Sequence, residues 1–193
     1  MGAGCSEQAK PVRSPGDLNS PQELAMKYKK TRNIPGSKAL RKGRSSLPEH
    51  VYFITKNTSS EPAADLTSDA DPACVINSFF WAEAEKHWIL MAFVIMPDHY
   101  HLLIKLGRKK SLSEVIGSID NFISQKTRKP SKPCFVLWQT GFHDHHLRSK
   151  EPVEHYISYI HMNPVRRGLV EKPEDWEWSS ANRRFQGRMR FIL

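Results

Sequence analysis

One long apolar run constrains the fold of this chain more than any other feature. Trp88–Met96 is uninterrupted by polar residues, and after Pro97 and Asp98 a second apolar segment, Tyr100–Leu106, begins. The pattern predicts two strands joined by a short break. Because side chains alternate along a strand, His99 and His101 share one face, with Cα atoms about 6–7 Å apart. That spacing suits two imidazole ligands of one metal ion, although two half-exposed histidines on a sheet face would give the same pattern.

A predicted helix, Glu151–Met162, carries the second candidate feature. Pro164 disfavours helical geometry at the residue before it, so we expect this helix to finish at about Asn163. Tyr159 and Asn163 are four residues apart and are therefore neighbours on one helix face. The pair places a phenol, a candidate nucleophile, one turn from an amide oxygen, a candidate third metal ligand. Tyrosines in amphipathic helices are commonly packing residues, so the pattern alone leaves both roles open.

The remaining segments alternate between strand-like and helical patterns. Strands are predicted at His50–Lys56 and Phe135–Trp138, helices at Ala73–His87 and Ser111–Arg128, and a further C-terminal element at Pro173–Phe185. The resulting order, strand–helix–strand–strand–helix–strand, is that of a ferredoxin-like split βαβ unit. We therefore predict an α+β fold with a ferredoxin-like split βαβ antiparallel sheet and helices packed on one face.

Charge is distributed unevenly along the chain. Of the net charge of +9, residues 1–46 contribute ten Lys and Arg against three Asp and Glu, whereas residues 47–193 are nearly neutral. The first segment is also rich in Pro, Ser and Gly, which predicts a basic, disordered N-terminal extension at 1–46 and one folded domain at 47–193. Basic arms bind phosphate backbones without sequence preference, and a purely solubilising role is the alternative.

The cysteine content and the hydropathy of the chain indicate its cellular compartment. Cys5, Cys74 and Cys134 are scattered and odd in number, which argues against a disulfide framework or a cysteine zinc site. No apolar run approaches the roughly 18 residues of a membrane span. We therefore expect a cytoplasmic protein without a membrane partner.

Four ordered blocks carry a resemblance to a known family. They are Val94–Ile104, Trp138–Arg148, Tyr159–Val170 and Trp176–Ser180. Together they resemble the REP-associated tyrosine transposases, which belong to the HUH single-strand DNA nucleases related to the single-tyrosine transposases of insertion sequences. The resemblance covers roughly Leu47 to Phe185. It implies an HUH nuclease domain at 47–193 with the two histidines on a central strand and the tyrosine helix packed across that sheet face.

The resemblance also implies a chemistry for the candidate residues. A phenol with a pKa near 10 is a poor nucleophile at neutral pH, so a bound Lewis acid is needed. Tyr159 would attack a phosphodiester, and His99, His101 and Asn163 would hold Mg²⁺, with Mn²⁺ as a substitute. The expected activity is nicking and strand transfer at hairpin-bearing, REP-like single-stranded DNA through a covalent 5′-phosphotyrosine. The protein would act as a monomer or a homodimer.

Two other functions match parts of the sequence pattern. A catalytically silent nucleic-acid-binding protein on the same fold stays open as the alternative. A histidine-triad nucleotide hydrolase is disfavoured, because its His-x-His-x-His pattern would need histidine at Pro97 or Leu103.

A second histidine cluster lies in the segment Phe142–His146. Alternation along an extended chain lets at most His143 and His145 share a site. We expect a loop or edge strand there, with DNA contact or support of the active site as the second possibility.

Overall fold

A four-stranded antiparallel sheet forms the centre of the fold. The computed structural model describes residues 46–59, 65–68, 72–127 and 138–189. The strands are ordered β2-β3-β1-β4 across the sheet, and every neighbouring pair is antiparallel. Their bounds are β1 Val51–Asn57, β2 Trp88–Met96, β3 His99–Leu106 and β4 His143–His146. The predicted α+β fold with a split βαβ antiparallel sheet is confirmed.

The helices lie close to their predicted positions. They are α1 Pro72–Ala84, α2 Leu112–Thr127, α3 Val153–His161 and α4 Asn163–Arg166, followed by short 3-10 turns at Pro173–Asp175 and Arg183–Phe185. The prediction for α1 ran three residues too far, because Lys86 adopts a left-handed conformation with φ 59° that ends the helix. Among the described residues, no helix is both long and apolar enough to cross a bilayer.

Two predicted segments fall largely outside the described residues. The basic extension at 1–46 is described only at Ser46, and the division into 1–46 and 47–193 stays a prediction. The strand predicted at Phe135–Trp138 is described only at Trp138, which forms an isolated antiparallel bridge with Thr58.

Both faces of the sheet are covered by helices. α1 and α2 pack on one face, over a core that includes Tyr52, Ile54, Phe93, Tyr100 and Leu102. α3 packs against β2 and β3 on the opposite face, which carries the two histidines. The prediction placed helices on one face of the sheet, and the structure adds α3 on the other face. The physical reason is that β2 and β3 are buried along almost their whole length, so neither face can be left to solvent.

The C-terminal segment covers the free edge of β2. The Ile95 amide donates to the Trp178 carbonyl at 2.8 Å, and the Ser180 amide donates to the Phe93 carbonyl at 2.9 Å. The Trp176 indole nitrogen donates to the Ile95 carbonyl at 2.9 Å. These bonds satisfy backbone groups that an edge strand would otherwise leave open to pairing with another chain.

A buried ion pair on the α2 side of the sheet fixes the segment that leads into β4. Lys56 Nζ lies 2.7 Å from Asp120 Oδ2 and also donates to the carbonyls of Gln139 and Gly141 at 2.9 and 2.8 Å. Burial raises the pKa of Asp120 to about 6 despite the neighbouring ammonium group. The pair joins β1, α2 and the chain before β4.

Candidate active site

Two histidines meet at the start of β3, directly after the β2–β3 turn. His99 pairs with Met96 across that turn, and His101 pairs with Thr55 of β1. Both side chains are buried, with 5% and 3% of their surface exposed. Their Nε2 atoms lie 3.1 Å apart. The alternation predicted from the sequence thus brings the two imidazoles together on the face that α3 covers.

The other ring nitrogen of each histidine is held by a neighbour. His99 Nδ1 lies 2.6 Å from Asp98 Oδ1, and His101 Nδ1 lies 2.8 Å from Thr55 Oγ1. If each Nδ1 carries the proton, both Nε2 lone pairs face the same point. Asp98 is itself 3.4 Å from the Arg167 guanidinium. The hydrogen bond from His99 is the main reason that the pKa of Asp98 lies well below its usual range.

Burial favours the neutral form of His101. Desolvation holds its pKa well below the ordinary value, and the neighbouring His99 and Arg167 lower the pKa further. A neutral imidazole is the form that binds a metal ion. His101 is therefore ready to ligate a cation at neutral pH without first losing a proton.

The geometry of the two imidazoles fits a divalent metal ion. Metal–nitrogen bonds of about 2.1 Å meeting near a right angle span about 3 Å, close to the observed separation of the Nε2 atoms. Within the described parts of the chain, no group of three His, Cys, Asp or Glu side chains could hold a metal. A third protein ligand from this region would have to be another kind of side chain, such as an amide.

Tyr159 lies on α3 against this pair. Its ring makes edge contacts with His101 and Phe53, at centroid separations of 5.6 and 5.7 Å, and only 7% of the residue is exposed. Burial raises the pKa of Tyr159, while the Arg166 charge, the Asn163 amide and the Arg167 charge each lower it. The phenol is thus surrounded by groups that stabilise its anion against the cost of burial.

Asn163 is buried at the junction of α3 and α4. α3 ends at His161, and after Met162 the chain continues into α4 with Pro164 in its first turn. The prediction that the helix ends near Asn163 is confirmed, but helical geometry resumes immediately, because a proline without an N–H fits the first turn of a helix. The Asn163 amide lies close enough to the Tyr159 hydroxyl to lower the pKa of Tyr159. Its role as a metal ligand stays a prediction.

Four further residues at this site were not singled out from the sequence. Asp98 could have been identified from the sequence, since it directly precedes His99. Arg166 had a weaker signal, since it follows Tyr159 by seven residues and shares its helix face if the helical path continues past Pro164. Thr55 and Arg167 had none, because their contacts depend on strand register and on the turn after α4.

The second histidine cluster forms the edge strand β4, as one of the predicted alternatives stated. His143 and His145 share the face that Thr55 and Phe53 occupy on β1. His145 Nε2 contacts the Glu151 carboxylate at 3.0 Å, and its ring stacks on Tyr156 at 5.8 Å.

Tyr156 and His161 occupy positions on α3 that differ from that of Tyr159. Burial together with the nearby Glu151 carboxylate raises the pKa of Tyr156 to about 12. His161 Nε2 instead contacts Ser180 Oγ at 2.8 Å, and burial lowers the pKa of His161 to about 4. It lines a groove of about 890 Å³ between α3 and the C-terminal segment. Neither side chain takes part in the contacts between Tyr159 and the histidine pair.

Comparisons with known proteins agree with the resemblance read from the sequence. The sequence model of the family described as "Transposase IS200 like" matches residues 49–163. A Haemophilus influenzae protein provisionally named a REP-associated tyrosine transposase is 31% identical over 105 residues, which span 48% of this chain and 58% of that relative. A REP-associated tyrosine transposase of Escherichia coli K12 is 24% identical over 139 residues, covering 69% of this chain and 77% of the relative.

A solved structure shares the fold. It is described as a REP-associated tyrosine transposase bound to a REP hairpin, and it superposes with a TM-score of 0.60 at 21% identity. The match covers 71% of this chain and 79% of that one. At this level of identity the match establishes the antiparallel α+β architecture.

Proposed function

This chain belongs to the family of IS200-like transposases, and we propose that it nicks and rejoins single-stranded DNA at hairpin-bearing, REP-like sequences. Tyr159 is the nucleophile in this proposal. One observation carries it: a buried tyrosine, whose ring contacts His101, lies against two histidines whose Nε2 atoms are 3.1 Å apart. DNA hairpins are proposed as the partner because a structural neighbour of the same fold is described as bound to one.

The proposed step is a transesterification. Tyr159 Oη attacks the phosphorus of a phosphodiester, the phenolic proton is lost to solvent, and a tyrosyl O–P bond forms. The P–O3′ bond breaks, and the departing 3′ oxygen takes up a proton. One phosphodiester bond is exchanged for another, so attack by a second 3′-hydroxyl reverses the step and rejoins strands without an external energy source. A 5′-phosphotyrosine is the covalent intermediate.

His99, His101 and Asn163 are the residues proposed to hold Mg²⁺, or Mn²⁺ in its place. When bound, the ion supplies Lewis-acid polarisation of the phosphate oxygens. Asp98 and Thr55 fix the orientation of the two imidazoles through their Nδ1 atoms. These protein ligands are neutral, which favours weak binding of the ion that is completed by the DNA phosphate.

The competing function is hairpin binding without chemistry. It would need the same fold and the same basic N-terminal segment, but it would give no covalent product. The contact of Tyr159 with the histidine pair favours the enzymatic function, because hairpin binding without chemistry does not require two imidazole nitrogens 3.1 Å apart beside a buried phenol.

A covalent-trapping experiment tests the proposal. The protein is incubated with a pool of hairpin-bearing single strands and Mn²⁺, resolved on a denaturing gel, and the attached DNA is sequenced. We expect a protein–DNA adduct that Tyr159→Phe abolishes while hairpin binding persists. Tyr156→Phe is the matched control and should keep the adduct, because the Tyr156 ring stacks on His145 and makes no contact with the histidine pair. An adduct that survives in Tyr159→Phe and is lost in Tyr156→Phe would reverse the assignment, and hairpin binding without any adduct would favour the silent protein.

A further inference from the structure

Two adjacent arginines after the tyrosine helix have different surroundings. Arg167 faces the Asp98 carboxylate at 3.4 Å, and 44% of its side chain is exposed. Arg166, the last residue of α4, is also exposed but places its guanidinium over the ring of Tyr159, 5.1 Å from the ring centroid. Among the residues that the structure describes, no carboxylate forms an ion pair with Arg166.

The position of Arg166 leaves its hydrogen-bond donors available. A guanidinium that lies over an aromatic ring is attracted through its planar face, while its N–H groups point outward in that plane. Those groups match the oxygens of a phosphate in a two-point contact. Tyr159 is enclosed on other sides by Phe53 and His101, so Arg166 marks the side of the nucleophile that borders solvent.

The positive charges around Tyr159 outnumber the negative ones, which favours binding of an anion. The positive groups next to Tyr159 are Arg166 and Arg167, and the Asp98 carboxylate faces Arg167. Asp98 is already shared between Arg167 and His99. One positive charge is therefore left without an anionic partner beside the nucleophile, in the described part of the chain.

We propose that Arg166 is a catalytic residue that binds a non-bridging oxygen of the phosphate attacked by Tyr159. This inference rests on the proposed function and adds to it a specific substrate contact. Negative charge on the non-bridging oxygens must be stabilised as the tyrosyl O–P bond forms. A guanidinium that already lies over the ring of the nucleophile can stabilise this charge without rearrangement. Two other roles are possible for Arg166: a cover that only packs on Tyr159, or a general contributor to DNA attraction.

The first test compares adduct rates at saturating hairpin. Arg166→Gln should slow adduct formation about 100-fold with little change in hairpin affinity. Arg166→Lys should form the adduct about 10-fold more slowly than the wild-type protein, because lysine keeps the charge but lacks the planar guanidinium group. Arg108→Gln is the control: it removes one exposed charge beyond the far end of β3 and should leave the rate unchanged. Equal rates for wild type and Arg166→Gln would overturn the proposal, and a loss of affinity without a loss of maximal rate would assign Arg166 to general attraction.

The second test locates the contact and does not require turnover. Binding is measured in a Tyr159→Phe background, which keeps the ring under Arg166, with hairpins carrying a charge-neutral methylphosphonate at the scissile or at a distant linkage. We expect the scissile methylphosphonate to weaken binding by about 10-fold when Arg166 is present and much less in the Arg166→Gln double variant. An equal effect of the methylphosphonate in both backgrounds would overturn the contact. If the wild-type protein forms no adduct but this coupling is found, the nuclease proposal fails while the phosphate contact stands.

Discussion

The Nε2 atoms of His99 and His101 lie 3.1 Å apart, while Asp98 and Thr55 hold the opposite nitrogens of the two rings. Without a cation between them, two lone pairs facing each other at that distance would repel, so one of the nitrogens must then carry a proton. A metal ion removes this conflict, because both rings can keep the proton on Nδ1 and point Nε2 at the ion. This relationship gives the metal predictions a physical basis.

Loss of either imidazole should stop the chemistry. His99→Ala and His101→Ala are each expected to abolish the protein–DNA adduct and to remove measurable Mn²⁺ binding by electron paramagnetic resonance. The reason is that one imidazole and one amide cannot hold the ion in position. Chelator should act on the wild-type protein in the same way. Cleavage by the wild-type protein that persists in excess chelator would rule out this metal scheme.

Asp98 should control the metal site without touching the ion. Asp98→Ala removes the acceptor that orients His99 and should weaken Mn²⁺ binding by about 10- to 100-fold. Asp98→Asn retains a carbonyl oxygen at the same place and should show a smaller loss. Titration of each variant with Mn²⁺ by calorimetry measures both effects. An unchanged affinity in Asp98→Ala would show that β3 alone orients the imidazole.

Asn163 can act on the ion or on the nucleophile, and kinetics separate the two roles. We expect Asn163→Ala to raise the Mn²⁺ concentration needed for half-maximal adduct formation more than it lowers the rate at saturating Mn²⁺. That result identifies a metal ligand. A large loss of maximal rate with an unchanged Mn²⁺ requirement would instead assign the amide to the Tyr159 hydroxyl, whose pKa it lowers.

His161 should make folding sensitive to acid. Burial lowers its pKa to about 4, from an ordinary value near 6.5, so between these values the unfolded chain binds a proton that the folded protein does not. Stability is therefore lost as the pH falls through this window. His161→Gln keeps a polar partner for Ser180 and should reduce the loss between pH 7 and pH 4.5 by about 2–3 kcal/mol in urea denaturation.

Other buried groups contribute to the same titration but are shared by both proteins. His101, whose pKa is also lowered by burial, acts in the same direction as His161. Asp120 acts in the opposite direction, because its pKa is raised to about 6 and the folded state gains a proton there as the pH falls. The difference between wild type and His161→Gln therefore isolates His161. Identical pH profiles for the two proteins would contradict the assignment.

The basic N-terminal segment should add affinity without sequence preference. Deleting residues 1–45 removes ten Lys and Arg and keeps Ser46, whose hydroxyl accepts the Leu112 amide at 3.1 Å. We expect the truncated protein to fold, to cleave at low salt, and to lose affinity for all hairpins by a similar factor. Each lost phosphate contact should reduce the slope of log affinity against log salt by about 0.7 for a single strand. A truncated protein that keeps its affinity but loses its preference for one hairpin would show that the segment reads sequence.

Local patterns in the sequence were sufficient for the α+β class, for three of the four strands and for the main candidate residues. Alternation along β3 determined that His99 and His101 share a face, and helical spacing determined that Tyr159 and Asn163 are neighbours. Both are short-range consequences of backbone geometry. The order of elements up to α2 likewise followed from where apolar periodicity changes. β4 did not: the fourth strand was predicted at Phe135–Trp138, and the structure has it at His143–His146, where no apolar pattern exists. The family resemblance depended on four blocks read in order.

Tertiary structure alone decided what surrounds those residues. The contact of Thr55 with His101 depends on the register between β1 and β3, which local pattern does not fix. The placement of α3 over the histidine face was instead already implied by the family resemblance, and its physical reason is that β2 and β3 are buried on both sides. Arg166 reaches the Tyr159 ring because the chain resumes a helical path at Pro164, where the sequence suggested only an end. The sequence by itself therefore determined which groups could react, and long-range packing determined which groups orient them and which face the substrate.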